Sequence, residues 1–163
     1  MTGGLLIREA RIGDSDAMWD IFRQVIASGD AFPFGESFDR QTFVAHWHGG
    51  HQAYVATQGQ SIVGMYKMGA NYPDHGSHVA SATYAVAPQA QGQGVGRAMV
   101  ADSLERACRD GFLAMQFNYV VTTNAPAMAL YRKFGFEQVG TLPKAFRHRQ
   151  LGLVDACVLF REL

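Results

Sequence analysis

The segment Gln91-Gly92-Gln93-Gly94-Val95-Gly96-Arg97 lies between a strand-like run, residues 78–87, and a helix-like run, residues 94–109. No other stretch limits the fold so sharply. Three glycines at alternate positions leave the backbone without Cβ atoms where it must curl. Successive N–H groups can then point at one spot, and the helix that follows adds the positive end of its dipole. Such a strand-to-helix junction suits a pyrophosphate. A dinucleotide fingerprint would put a glycine three residues after Gly94, where Arg97 stands, and a P-loop needs Gly-Lys-Ser/Thr, which does not follow Gly92.

The rest of the chain alternates strands and helices with no linker. Residues 5–9 read as a first strand. Asp14 then offers a helix N-cap, Met18, Ile21, Phe22, Val25 and Ile26 recur at helical spacing, and Gly29 closes the helix. Residues 30–38 form a loop whose Phe32, Phe34 and Phe38, set around Pro33 and Gly35, are expected to cover something apolar. Asp39 can cap a short helix running to Trp47. Residues 52–57 and 61–68, joined by Gln58-Gly59-Gln60, have the pattern of an antiparallel hairpin, and a loop over 69–77 leads to the strand before the glycine turn. Gly111 ends the long helix, and 113–121 is a further strand. Asn124 starts a helix with Ala127, Leu130, Tyr131 and Phe134 on one face, Gly135 ends it, and 136–141 begins a strand whose partner is 154–160. The order is β-α-α-β-β-β-α-β-α-β-β, with one parallel crossover, expected to be right-handed.

With 163 residues, 48% hydrophobic and 17% charged, the chain suits one compact domain over residues 1–163. Fourteen basic residues balance fourteen acidic ones, so no net field favours nucleic acid or an anionic membrane. No apolar run approaches bilayer length and no secretory signal is evident, which makes the cytoplasm the expected compartment. Cys108 and Cys157 read as two buried small side chains in a reducing environment. Neither a disulfide nor a metal site is expected from two distant cysteines without a Cys-x-x-Cys or His-x-x-x-His pattern.

Gln91-x-x-Gly94-x-Gly96 resembles the acetyl-CoA signature Gln/Arg-x-x-Gly-x-Gly/Ala of the GNAT acetyltransferase superfamily. Asn124-x-x-Ala127-x-x-Leu130-Tyr131-x-x-Phe134-Gly135-Phe136 is similar to a second segment of that superfamily, in the right order and after the right strand. The resemblance implies an α/β (α+β) GNAT fold: a mixed, mostly antiparallel sheet of about seven strands flanked by about four helices. It also implies acetyl-CoA as co-substrate, with Gln91, Gly92, Gln93, Gly94, Val95, Gly96 and Arg97 around the pyrophosphate. Asn124 and Ala127 would lie along the pantetheine arm, and the Tyr131 hydroxyl near the sulfur. Read singly, Asn124 is better taken as a plain helix cap and Tyr131 as a core aromatic; it is the two motifs in the right order that carry the resemblance.

Acetyl transfer to an amine needs a neutral nucleophile, a polarised thioester carbonyl and a protonated leaving thiol. Backbone N–H groups around Tyr84, Ala85 and Val86 can donate to the carbonyl oxygen if pairing with the 113–121 strand breaks, as the resemblance implies. Tyr131 is the candidate general acid, and direct attack without a covalent enzyme intermediate is the simplest course. The general base is open. Many superfamily members place a glutamate on the strand before the turn, whereas residues 77–86 hold no carboxylate. His78 has a suitable pKa range but is equally a loop-bonding histidine, and a water chain from Ser81 or Thr83 is another route.

A narrower resemblance concerns the acceptor. Asn71-Tyr72-Pro73, Ser77-His78-Val79, Phe117-Asn118-x-Val120-x-x-Thr123-Asn124, Gly140-x-Leu142-Pro143-Lys144-Ala145 and Val154-Asp155-Ala156 look like the fungal N-acetyltransferases of proline analogues such as azetidine-2-carboxylate. In that group an asparagine at the position of Asn118 holds substrate or a catalytic water. A second asparagine on the preceding strand is replaced here by Ser81. The implied partner is a small-molecule amine, such as an amino acid or a toxic analogue of one, in a pocket formed by Phe32, Phe34, Asn71, Tyr72, His78, Ser81 and Asn118. Acetylation of a protein N-terminus or lysine is an alternative, and so is a non-catalytic acyl-CoA sensor. The apolar strand 154–160 fits either a homodimer face or the core.

Overall fold

The computed structural model describes residues 4–163. One sheet of seven strands runs in the order β1-β2-β3-β4-β5-β7-β6. The strands are β1 (Leu5–Glu9), β2 (Gln52–Gln58), β3 (Ser61–Ala70), β4 (Val79–Val86), β5 (Ala114–Val121), β6 (Glu137–His148) and β7 (Gly152–Glu162). Every neighbouring pair is antiparallel except β4 and β5, which are joined by the crossover through the glycine turn. The helices are α1 (Ser15–Ser28), α2 (Arg40–His48), α3 (Val95–Arg109) and α4 (Ala125–Lys133). This is the mixed, mostly antiparallel sheet with four helices that the resemblance implied. Among the described residues no helix is long and apolar enough to cross a membrane.

Local chemistry sets most boundaries. Gly29 ends α1 in the left-handed region at φ 65°, and the Asp39 side chain caps α2 by accepting from the Thr42 N–H at 2.8 Å. Asp14 does not cap α1 as expected. A 3-10 turn over Ile12–Asp14 puts it already in helical conformation, so its carboxylate turns back. There it binds the Arg8 guanidinium at 2.7 and 2.9 Å and the Arg11 N–H at 2.7 Å, contacts that hold its pKa below the ordinary carboxylate value.

The two sheet faces are covered differently. On one, Tyr54, Tyr66 and Tyr84 form a ladder across β2, β3 and β4, with ring centroids 4.7 and 5.6 Å apart. The Tyr66 hydroxyl donates to Asp102 and the Tyr84 hydroxyl lies 2.7 Å from Ser103 Oγ, so the ladder pins α3 to the sheet. Gly64 lets the start of α3 approach, since a Cβ there would meet Val95 Cγ1 at 2.8 Å. On the other face, α1 and α2 bury Met18, Phe22, Phe43 and Trp47. The loop phenylalanines cover this cluster: Phe32, Phe34 and Phe38 lie 5.7, 6.0 and 5.1 Å from the Phe22 ring.

One further expectation needs correction. Cys157 is buried, but Cys108 is exposed, because it falls just past the arc of α3 that buries Val100, Leu104 and Ala107. Of the two readings of residues 154–160, the core one fits strand β7: β5 and β6 flank it, its Ala156, Cys157 and Leu159 are buried, and the sheet edge at that end is β6.

Candidate active site

β4 and β5 pair only at Val79 with Ala114 and Ala80 with Met115, beside a 2.9 Å bond from the Leu113 N–H to the His78 carbonyl. Beyond that the strands part. β4 continues along β3 as far as Val86, whereas β5 follows β7, so a wedge opens toward the glycine turn. The Asn71 N–H donates to the Val79 carbonyl at 2.8 Å and the Ala87 N–H to the Val63 carbonyl at 2.9 Å, so the odd-numbered peptides of β4 bond to β3. Alternation then turns the N–H groups of Ala82, Tyr84 and Val86 into the wedge. Of the expected trio Tyr84, Ala85 and Val86, the middle member is excluded, because its N–H faces β3.

The glycine turn stands at the mouth of the wedge on the α3 side. Gly92 has φ 75° and Gly94 φ 83°, conformations that L side chains rarely adopt, and an added Cβ at either would meet no atom within 4 Å. The space over the turn is therefore open and its backbone is set by glycine. The first backbone bond of α3 runs from the Ala98 N–H to the Gly94 carbonyl at 3.0 Å, which leaves the N–H groups of Val95, Gly96 and Arg97 without helix partners. A phosphate-bearing group fits these donors. The side chains around them contribute unequally. Val95 is buried, Gly96 packs between Leu130 and Val86, and the Gln93 amide folds back onto the Gln89 carbonyl at 2.9 Å. Gln91 and Arg97 are exposed.

Helix α4 completes this side. Asn124 Oδ1 accepts from the Ala127 N–H at 3.4 Å, a long bond that leaves the amide N–H groups of its side chain free. The Tyr131 ring lies 4.6 Å from Phe117 and 6.2 Å from Tyr84. Burial alone drives its phenol well above the ordinary value, so the hydroxyl keeps its proton at neutral pH.

The opposite face of the wedge carries a different set. Asn71 and Asn118 exchange amide hydrogen bonds: Asn71 Nδ2–H donates at 3.1 Å and Asn118 Nδ2–H at 2.6 Å, with Gln116 Nε2–H adding a bond to Asn118 Oδ1 at 2.9 Å. Asn71 follows β3 and Asn118 lies on β5, so the pair arches over β4, where Ser81 and Thr83 point to the same side. A bulge between Phe117 and Val120 places Tyr119 next to Asn118 on this face. The Tyr119 hydroxyl donates to the Ala145 carbonyl at 2.6 Å, and its ring lines a cleft of about 510 Å³ with Phe32, Phe34, Phe146 and Arg147.

Two expected members stand apart. His78 is exposed at the closed end of the wedge, six residues before Tyr84, roughly 20 Å at strand rise. It is not brought to the open wedge where a base would act. Tyr72 is 63% exposed and lines a second depression of about 420 Å³ with His51, Gly69 and Asn71. In their place come residues that sequence reasoning missed. Tyr119 depends on the bulge, which left no sequence signal. Lys67 is a lone cation inside the apolar run of β3, a signal that was present. Its Nζ lies 2.9 Å from His46 Nε2 and 3.0 Å from the His46 carbonyl.

The acetyltransferase (GNAT) family model matches residues 17–136. A GCN5-related N-acetyltransferase from Kribbella flavida has a similar structure, with a TM-score of 0.94 at 36% identity over 98% of each chain. N-acetyltransferase aca1 of Schizosaccharomyces pombe is 31% identical over 99 residues, 60% of this chain and 47% of that protein. Mycothiol acetyltransferase of Saccharomonospora viridis is 33% identical over 129 residues, 78% of this chain and 37% of that protein. The chain thus spans less than half the length of these two curated relatives.

Proposed function

Because the chain belongs to the acetyltransferase (GNAT) family, we propose that it transfers an acetyl group from acetyl-CoA directly to the amine of a small molecule, such as an amino acid or a toxic amino-acid analogue. The observation that carries this reading is the wedge between β4 and β5, with a phosphate-type turn and Tyr131 on one face and a polar, aromatic cleft on the other. Acetyl-CoA supplies the thioester acyl group. The unpaired N–H groups of residues 92–97 bind its pyrophosphate, helped by the α3 dipole, and the free amide of Asn124 bonds the arm.

Tyr84 and Val86 N–H groups stabilise the negative charge that develops on the carbonyl oxygen. Asn118, Asn71 and Ser81 orient the acceptor amine, and Phe32 and Phe34 close over its apolar part. As the nitrogen–carbon bond forms and the carbon–sulfur bond breaks, Tyr131 gives its proton to the sulfur. The amine proton leaves through water held by Ser81 and Thr83, which replace the distant His78 in the reading.

The test measures thiol release from acetyl-CoA against amino acids, imino acids, polyamines and peptides. The reading predicts turnover on small amines above that on peptides. Tight CoA binding with no turnover on any of them contradicts it.

A further inference from the structure

Lys67 stands on an inner strand, directly across from Thr83 of β4 and on the acceptor side of the wedge. Its flanking residues Tyr66 and Met68 are buried, and the ammonium itself is half-buried. Both of its hydrogen-bond partners, the imidazole and the carbonyl of His46, are neutral groups. Burial and the neighbouring ammonium push the His46 imidazole below its ordinary value, which keeps it an acceptor. Among the described residues five ion pairs form, and none includes Lys67. A half-buried charge without a counter-ion is unfavourable, and an ammonium has three donors, of which two are used here.

The surroundings repeat that imbalance. The ammonium sits 5.8 Å over the ring of Trp47, whose indole N–H is buried with no hydrogen-bond partner. The His46 ring lies 5.4 Å from Phe34 and 5.8 Å from Phe38, and Phe34 also lines the cleft. Donors are in excess at this spot, and among the described residues no carboxylate pairs with them. Neighbouring strands lie about 4.8 Å apart, so an anion on Lys67 would sit on the acceptor face about one strand spacing from Thr83 of β4, the strand that borders the wedge.

We propose that Lys67, held by His46, binds the carboxylate of the acceptor, so that the substrate class is amino acids rather than simple amines or polyamines. The inference rests on the transfer reading for the identity of the cleft, but its test does not need turnover. The N-acetyl derivatives of glycine, alanine, proline, methionine and phenylalanine, and their carboxamides, are titrated into the protein carrying CoA. The wild type is expected to bind at least one acid tenfold or more tightly than its amide. Lys67→Met should bind acid and amide alike with unchanged CoA affinity, and Lys67→Arg should keep part of the preference. Equal binding of acid and amide by the wild type, or a preference that survives in folded Lys67→Met, overturns the proposal. If the acid preference holds but no amine is acetylated, the site stands and the transfer reading falls.

Discussion

The two faces of the wedge are built from different materials. On the α3 side the contacts offered are mainly backbone: two glycines at positive φ, the open first turn of α3, and the N–H groups of Tyr84 and Val86. On the α1–α2 side they are side chains, brought together from β3, β4, β5, α2, the aromatic loop and β6. A backbone site depends on local conformation and so recurs wherever the turn recurs. A side-chain site can be rebuilt residue by residue.

Separate damage to the two faces should break one function and spare the other. The largest effect is expected from Gly94→Val. A β-branched residue at φ 83° is strained by about 1–3 kcal/mol and turns a side chain into the open space over the turn. CoA affinity, measured by calorimetry, should fall by about 100-fold, a loss of about 2.7 kcal/mol. Unchanged affinity would remove the turn from the donor site. Next, Tyr131→Phe should lower kcat by about 100-fold with little change in CoA binding, as removal of a general acid does. A loss of CoA affinity equal to the loss of kcat would make Tyr131 a packing residue.

Asn118→Ala is expected to lower kcat/KM for the acceptor by about tenfold, because it also leaves the Asn71 amide unpaired, while CoA affinity stays within twofold. Loss of CoA binding in this variant would show that the faces are not independent.

A smaller effect concerns pH. Burial pushes the Lys67 ammonium down to about 8 from 10.5. Between those values the unfolded chain binds more proton than the folded one, so folded-state stability from this group rises with pH through that window. The stability of the wild type relative to Lys67→Met should therefore increase from pH 8 to 10 in thermal melts. Tyr66, Tyr84 and Tyr131, whose phenols burial raises, act in the opposite sense above pH 10, but in both proteins alike. A flat difference would mean that the ammonium is fully solvated.

The same division explains what could be read from the chain beforehand. Helix ends at Gly29 and Asp39, the strand-turn-helix at residues 84–97 and the α4 face with Tyr131 follow from local rules of capping, spacing and glycine geometry. They were legible because each is decided within a few residues. His78 was drawn in by its chemistry, but the parallel pairing at Val79 and Ala80 puts it at the closed end. Tyr119 was missed because a bulge turns it, and Asp14 was misread because a 3-10 turn precedes it. Lys67 and His46 lie 21 residues apart in the chain, and only the packing of α2 on β3 makes them a pair.

Backbone and side-chain amide resonances, assigned in ¹⁵N-labelled protein, test the two-face account most directly. CoA is predicted to shift the N–H signals of Gly92, Gly94, Val95, Gly96 and Val86 while leaving the side-chain amides of Asn71 and Asn118 in place. N-acetyl amino acids added afterwards should move those two asparagines. A CoA titration that shifts Asn71 and Asn118 but not the glycine turn would contradict the account.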